Sequence, residues 1–217
     1  MRRLPLIVAL EVLALLDIPA HSDAPGRPVL FIQPLGEELP TEEIASVRQA
    51  LVGFYNVRIR VLPRVDLPEQ AYYEPRRRYR AEIILPFLLE KLPSDADRIL
   101  GLTGVDISTE KGDIKDWGII GKANLGGKEC LVSAFRCRRR STERLPPSIL
   151  LAKVAVHEVG HTLGLDHCAT RGCLMEDARG QLRTCERAFD ICPHCRNRLK
   201  ASGFVLPEQP NIPWPRP

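Results

Sequence analysis

Residues 157–167 read HEVGHTLGLDH, and this segment restricts the fold more than any other part of the chain. His157 and His161 are four residues apart, so on an α-helix both imidazoles lie on one face and can bind one metal ion. Gly164 can take the left-handed conformation that ends a helix. The chain then turns back, and His167 becomes the natural third ligand. The segment therefore predicts a helix that stops in a sharp turn.

Three histidines leave one position of a tetrahedral zinc ion for water, as in catalytic zinc sites. Asp166 is an adjacent alternative to His167 as the third ligand. Glu158 follows His157 directly and can reach a zinc-bound water without being a ligand, which is the position of a general base. With average composition, the pattern would arise by chance at a given site on the order of once in ten million. These residues predict a catalytic zinc that hydrolyses peptide bonds.

Four cysteines form a second candidate metal site, with the spacings C-x4-C and C-x2-C: Cys168, Cys173, Cys192 and Cys195. Four thiolates make a closed tetrahedral zinc site without room for water, which is structural rather than catalytic. The alternatives are disulfides, or His194 or Cys185 in place of one thiolate. The chain has seven cysteines, an odd number, and Cys130, Cys137 and Cys185 are expected to be ordinary buried or free thiols. The sequence thus predicts two zinc ions per chain, one catalytic and one structural.

The rest of the chain before the motif alternates between strands and helices. A buried strand at 29–32, a helix at 41–54 and a half-exposed strand at 57–61 predict a βαβ unit with parallel strands. The later predicted elements are a helix at 79–92 that Pro86 kinks or divides, strands at 98–105, 117–123 and 130–135, and the motif helix at 148–165 after Pro146 and Pro147. Residues 106–116 predict a polar surface loop, and 124–127 a hairpin-like connection.

A known family has the same spacing. The segment resembles the metzincin zinc-peptidase signature in His157-Glu158-x-x-His161-x-x-Gly164-x-x-His167, with Met175 where a Met-turn runs beneath the metal. It resembles the archaemetzincins in particular through Cys168, the Cys173-Leu174-Met175 triplet and Cys192-x-x-Cys195. The resemblance implies a zinc metallopeptidase with an α/β (α+β) metzincin-like fold. That fold has a twisted, mostly parallel sheet with an antiparallel edge strand, two long helices, and a small zinc-stapled C-terminal subdomain.

The resemblance also implies how a substrate binds. An extended peptide or protein segment would pair with the antiparallel edge strand by strand addition, and this edge is expected near Gly126 to Ser133. The competing hypothesis is a catalytically silent, zinc-stabilised binding protein. Glu158 favours the peptidase, because a silent site has no need of a base.

The chain divides by composition and motif into several predicted parts. A catalytic domain at 25–205 consists of an N-terminal subdomain at 25–165 and a C-terminal subdomain at 166–205. Residues 1–24 resemble a signal peptide or are a tail, and the proline-rich residues 206–217 predict an extended strap or a disordered tail. A cytoplasmic location is favoured because a reducing compartment keeps thiols available, with secretion the alternative if a signal peptide is present.

The formal net charge is +4, and arginines cluster at 76–80 and at 136–140. A basic patch can bind nucleic acid, but no nucleic-acid-binding motif accompanies these clusters, so a solvated surface is the expectation and no nucleic-acid partner is predicted. No stable membrane span is expected. The sequence does not predict an oligomeric state, and a monomer is compatible with it.

Overall fold

A computed structural model of the chain describes residues 27–179, 182–204 and 206–214. The predicted N-terminal segment at 1–24 lies outside these residues. The strands are β1 Val29–Leu35, β2 Arg58–Val61, β3 Tyr72–Tyr73, β4 Arg78–Arg80, β5 Arg98–Thr103, β6 Ile107–Lys111, β7 Ile114–Ile119, β8 Gly121–Ala123 and β9 Glu129–Ser133. The helices are α1 Thr41–Tyr55, α2 Ala81–Glu90, α3 Ala134–Arg140, α4 Pro147–Thr162, α5 Leu182–Arg187 and α6 Pro193–Ala201.

The main sheet has five strands in the order β2-β1-β5-β9-β8, all parallel except β8, which runs antiparallel to β9. Side chains of β1 alternate between its two faces. Leu30 and Ile32 pack into the core that contains α1 and α4, whereas Val29 and Phe31 pack with α2 on the opposite face. Both faces are covered, which explains why residues 29–32 of β1 are all apolar. The predicted fold class is confirmed.

The two long helices, α1 and α4, pack against each other beneath the sheet. The hydroxyl of Tyr55, at the end of α1, donates a hydrogen bond of 2.7 Å to the carbonyl oxygen of Val156 in the middle of α4. Helix α4 begins at Pro147, where the missing N–H would have no helical partner. It carries the first two histidines of the motif on its last two turns. The motif therefore lies on a rigid element that the core holds in place.

A second sheet of four strands, in the order β3-β4-β6-β7, was not predicted. The prediction of a surface loop at 106–116 is wrong, because β6 and β7 form an antiparallel hairpin there. Gly112, at φ 56°, turns the chain between them. The polar side chains that suggest a loop belong to the exposed half of this hairpin, whereas Ile107 is buried. A strand needs only one apolar face, so an abundance of charged residues does not exclude it.

Other boundaries also differ from the predictions. The single strand expected at 117–123 is divided at Ile120 between β7 and β8, which belong to different sheets. The strand expected at 130–135 ends at Ser133, whose hydroxyl accepts a hydrogen bond from the backbone N–H of Phe135 and caps the unpredicted helix α3. Pro86 lies inside a continuous α2 and does not divide it.

The expected position of the antiparallel edge strand is also wrong. The segment Gly126 to Ser133 contains β9, which lies between β5 and β8 and pairs with both. The antiparallel strand at the edge is β8, Gly121–Ala123. The hairpin predicted around residues 124–127 is present and joins these two strands. Either strand of a hairpin can be the outer one, and only the pairing of β9 with β5 decides which is buried.

The arginine clusters take part in ion pairs within the fold. Arg136 binds both carboxylate oxygens of Asp106, at 2.7 and 3.0 Å, and Arg78 also binds this carboxylate. Arg138 binds both oxygens of Glu43, at 2.7 Å each. Bidentate pairs of this kind fix geometry as well as charge. These arginines therefore help to join α3 to the second sheet and to α1.

The described part of the C-terminal region contains two short helices, α5 and α6, and an irregular segment at 206–214. Trp214 in this segment is buried, and its indole N–H donates to the carbonyl oxygen of Phe189. Residues 206–214 thus form a strap against the fold, one of the two states expected for the tail. Within the described ranges, no helix has both the length and the apolar character needed to cross a membrane.

We expect Gly53→Ala to destabilise the protein, although glycine-to-alanine changes inside helices usually stabilise. A Cβ at Gly53 would lie 1.7 Å from the carbonyl oxygen of Asn211, so the strap would have to leave α1. The expected cost is about 1–3 kcal/mol of unfolding free energy, measured by chemical denaturation. In a chain shortened by residues 206–217, the same change should instead stabilise by about 0.5–1 kcal/mol. Stabilisation in both chains would show that the strap does not lie on α1.

Candidate metal centre

The three motif histidines converge on one point. The candidate ligand atoms of His157, His161 and His167 all lie within 4.8 Å of one another. The Nε2 atoms of His157 and His161 are 3.0 Å apart. Two nitrogens bound to one zinc ion in a tetrahedral site lie about 3.3 Å apart, so this spacing suits a shared ion. His167 reaches the group because Gly164 has φ 87° and turns the chain directly after α4.

Backbone carbonyls orient the two helical histidines. Nδ1 of His157 lies 2.7 Å from the carbonyl oxygen of Leu174, and Nδ1 of His161 lies 2.7 Å from that of Leu165. A carbonyl can only accept, so Nδ1 carries the proton in each ring and Nε2 presents its lone pair. Burial lowers the pKa of His157 to about 4, and the neighbouring His161 adds to this effect. The rings are therefore neutral, the form that binds a metal.

Glu158 lies beside this group and is almost completely buried, at 7% exposure. Burial raises the pKa of Glu158 to about 8, and the charge of Lys122 opposes the shift. A carboxyl group with a pKa near neutrality can both accept and release a proton, as a general base and acid must. Gly121 of β8 makes the space for it, because a Cβ there would lie 2.5 Å from Oε1 of Glu158.

We expect Gly121→Ala to lower kcat by about 100-fold, because the added methyl group displaces the Glu158 carboxylate and a shift of about 1 Å can cost this much. Zinc content and fold should not change. Gly104→Ala is the matched control, since a Cβ at Gly104 has its nearest neighbour at an ordinary 3.5 Å. Peptide-cleavage kinetics and metal analysis of both variants test the prediction. Full activity of Gly121→Ala would mean that the position of Glu158 does not depend on β8.

Met175 lies in the chain segment that passes beneath the histidines and is fully buried. Its sulfur approaches α4 where Gly160 has no side chain, since a Cβ there would lie 2.6 Å from Sδ. The backbone N–H of Cys168 donates to the carbonyl oxygen of Met175 at 2.8 Å. This bond joins the segment that follows His167 to the segment below the metal centre. Met175 therefore packs against α4 next to the two helical histidines, and its role as a Met-turn stays a prediction.

The four cysteines of the second site also converge, and their sulfurs lie within 4.8 Å of one another. The Sγ atoms of Cys168 and Cys192 are 3.6 Å apart, and those of Cys173 and Cys195 are 3.8 Å apart. Sulfurs bound to one tetrahedral zinc ion are about 3.8 Å apart, whereas a disulfide bond is about 2.0 Å long. The observed spacings fit one zinc ion and not two disulfides.

The titration of these thiols also favours a bound cation. Burial raises the pKa of Cys173 to about 11, and burial together with the charge of Cys173 raises the pKa of Cys195 above its usual range. Desolvation opposes the ionisation of Cys192, but the backbone N–H of Cys195 and other donors lower the pKa of Cys192 to about 6. The thiolate of Cys192 therefore forms easily, whereas those of Cys173 and Cys195 do not. A bound cation would stabilise all four cysteines in the thiolate form at the same time.

The alternative ligands lie elsewhere. Asp166 accepts a hydrogen bond from the backbone N–H of His167 at 2.7 Å and is not in the histidine group. His194 is exposed, and neither it nor Cys185 belongs to the cysteine group of the described residues. Cys130 and Cys137 are buried free thiols, and Cys185 is a half-buried one.

A cleft of about 420 Å³ opens on the histidine group. Its walls come from α4, from β7 and β8, and from the segment after Met175. Residues from each of these walls are Lys153, His157, Glu158, Gly121, Trp117 and Asp177. Gly121 and Lys153 were not among the site residues predicted from the sequence. The position of Lys153 one helical turn before His157 is the only sequence feature that could have pointed to it. No sequence feature points to Gly121, because Gly121 lies on β8 and the residue it contacts, Glu158, lies on α4.

Comparison with known proteins identifies the family. A model of peptidase family M54 matches residues 41–201, most of the chain. The chain belongs to peptidase family M54. It is a zinc metallopeptidase, as the motif and the resemblance to archaemetzincins predicted. The matched range contains both proposed metal sites.

Named relatives of this M54 peptidase are archaemetzincins. Archaemetzincin from Methanocaldococcus jannaschii is 31% identical over 182 residues, which cover 82% of this chain and 96% of that protein. The crystal structure of Archaeoglobus fulgidus archaemetzincin complexed with malonate has a TM-score of 0.65 at 29% identity and covers 78% of this chain and 99% of that one. The crystal structure from Methanopyrus kandleri has a TM-score of 0.69 at 26% identity, with coverages of 83% and 98%.

Proposed function

We propose that this metallopeptidase uses two zinc ions with different roles. The proposed ligands of the catalytic zinc are His157, His161 and His167. The proposed ligands of the structural zinc are Cys168, Cys173, Cys192 and Cys195. The observation that carries the proposal is the convergence of two separate donor sets, one opening on a cleft and one enclosed by thiols. A site that keeps an open position suits catalysis, and a closed site suits stability.

In the proposed mechanism, zinc supplies Lewis acidity that activates water and polarises the scissile carbonyl at neutral pH. Glu158 takes a proton from the attacking water and then returns it to the leaving amine. Its burial keeps competing water away from this transfer, and a nearby cation favours the ionised carboxylate needed for the first step. The carbonyls of Leu174 and Leu165 hold the helical histidines in position throughout.

We also propose that the substrate backbone binds along β8. In the part of the chain that the structure describes, this strand pairs with β9 on one side and with no strand on the other, so that its outer edge can accept an added strand. Gly121 belongs both to β8 and to the wall of the cleft, which would place the scissile bond close to Glu158. An extended peptide is therefore the substrate form that this edge favours.

We also propose that the catalytic domain consists of an N-terminal subdomain at 25–165 and a C-terminal subdomain at 166–205. The segment after residue 165 supplies His167, all four cysteine ligands and Met175, and it packs into the same core as α4. The structural zinc would hold this segment together and so position His167. A reducing compartment, and hence a cytoplasmic location, would keep the four thiols available for zinc.

The test is mass-spectrometric mapping of new peptide termini in a complex peptide mixture incubated with zinc-loaded protein. The same mixture is incubated with Glu158→Ala at equal zinc content. New termini that disappear in the variant are the expected result, and their positions separate removal of terminal residues from internal cleavage. Equal, silent outcomes for both proteins with two zinc ions bound would favour the binding-protein hypothesis instead.

A further inference from the structure

The cleft contains a buried positive charge that the proposed mechanism does not use. Lys153 lies on α4, one turn before His157, and lines the same cleft as His157 and Glu158. It is only 6% exposed. Lysine is seldom buried to this extent without a paired acidic group, because removing its charge from water is costly.

The contacts of Lys153 do not neutralise it. Its ammonium group donates to the carbonyl oxygens of Cys185, at 2.9 Å, and Glu186, at 3.3 Å, and lies 5.6 Å from the centre of the Trp214 ring. An ammonium group has three donors, and within the described ranges hydrogen bonds use two of them. Among the described residues, no carboxylate lies within ion-pair distance of it. Burial lowers the pKa of Lys153, with the charges of Cys185 and Glu186 opposing the shift.

The other acidic groups of the cleft are engaged elsewhere. Glu176 accepts hydrogen bonds from Arg187 and from the backbone N–H of Gly172. Asp177 accepts from the backbone N–H of Arg179 at 2.9 Å. Glu158, the third acidic side chain of the cleft, makes no ion pair with Lys153 either, so the described part of the cleft wall gives Lys153 no acidic partner. A negative group from a ligand would complete it.

We propose that Lys153 binds a carboxylate of the peptide substrate close to the scissile bond, so that the enzyme prefers acidic peptides. This inference rests on the proposed peptidase function. Four residues of α-helix correspond to about 6 Å, and an extended peptide advances about 3.3–3.6 Å per residue. The carboxylate therefore belongs to a residue one or two positions from the scissile bond. It is either an Asp or Glu side chain or the free C-terminus of a short peptide.

The experiment uses matched peptides based on one cleaved sequence from the terminus mapping. Glu and Gln are exchanged at each position within two residues of the cut, and the C-terminus is either free or amidated. The wild-type enzyme should prefer Glu to Gln, or the free acid to the amide, by about tenfold or more in kcat/KM at one position. Side-chain and C-terminal recognition are distinguished by which of the two peptide pairs shows the preference.

Variants then assign the preference to Lys153. Lys153→Met should reduce the ratio to about one, and Lys153→Arg should restore much of it, because a charge is kept. Lys153→Gln retains a donor for the Cys185 carbonyl, so it serves if Lys153→Met does not fold. Lys91→Met, directly after α2 on the other side of the sheet, is the control and should keep the wild-type ratio.

Two results would overturn the inference. One is a wild-type enzyme that cleaves Glu and Gln peptides, and free and amidated ones, at equal rates. The other is a preference that Lys153→Met and Lys153→Gln leave unchanged, which would reduce Lys153 to a structural contact with α5. If the wild type cleaves no peptide at all, the proposed function fails rather than this inference.

Discussion

Glu158→Gln is expected to lower kcat about 100- to 10,000-fold while the zinc content stays the same, the range typical of a lost general base. The amide has nearly the shape of the carboxylate and fits beside Gly121, but it cannot accept a proton from water. Steady-state kinetics on a cleaved peptide and metal analysis of the same sample give both quantities. KM should change much less than kcat.

Glu43→Gln is the control for loss of a buried carboxylate. Glu43 lies on α1 at 6% exposure and binds Arg138 through both oxygens, away from the cleft. This variant should lower stability, because it leaves part of a bidentate ion pair unmatched, but it should keep kcat. If Glu158→Gln kept normal turnover with zinc bound, another group would have to accept the proton.

Cys173→Ser is expected to remove one zinc ion and to unfold the segment that follows α4. Structural zinc contributes about 10–16 kcal/mol of apparent binding free energy in small domains, as much as the whole stability of many proteins. Cys173 is buried in the core, and its sulfur also accepts from the backbone N–H of Cys192. Activity should fall as well, since Cys168 and His167, the proposed third ligand of the catalytic zinc, are neighbours in the chain.

Zinc content, the thermal midpoint and far-UV circular dichroism measure this effect. Cys185→Ser is the matched control, because Cys185 is a half-buried thiol outside the cysteine group. It should retain both zinc ions and most of the stability. If Cys185→Ser lost a zinc ion while Cys173→Ser kept both, the proposed ligand set would be wrong. The alternative set, in which Cys185 takes the place of one thiolate, would then be supported.

The two candidate ligand groups could be predicted from the sequence because most of their spacing depends on short-range geometry. The spacing of His157 and His161 matters only if the segment is helical, and the apolar pattern of the same segment predicts that helix. Gly164 then determines how the chain leaves the helix. The cysteine pairs are likewise local, with a tight spacing in each half. A few residues determine each of these features, so no knowledge of the remaining fold is needed.

Other features depend on contacts between distant segments. The charged residues of β6 and β7 predict a loop. These strands form because they pair with each other and because β6 also pairs with β4, and such pairing is not visible in the local sequence. The identity of the edge strand depends on whether β9 pairs with β5, about thirty residues away. A local pattern records which face of a strand is apolar, but not which strand lies beside it.

The sequence alone predicted the candidate metal ligands, the reaction class and the parallel pairing of the first two strands, because helix periodicity and ligand spacing are local patterns. The family and the mostly parallel sheet were predicted from the resemblance of the motifs to archaemetzincins. Only the tertiary structure decided that Gly121 must be small to admit Glu158, that Lys153 is buried beside the cleft, and that the strap lies on Gly53. Each of these depends on two segments that meet only in the folded chain. Steric fit and the burial of a charge both require contact between segments that are distant in the sequence, so a local sequence pattern cannot predict them.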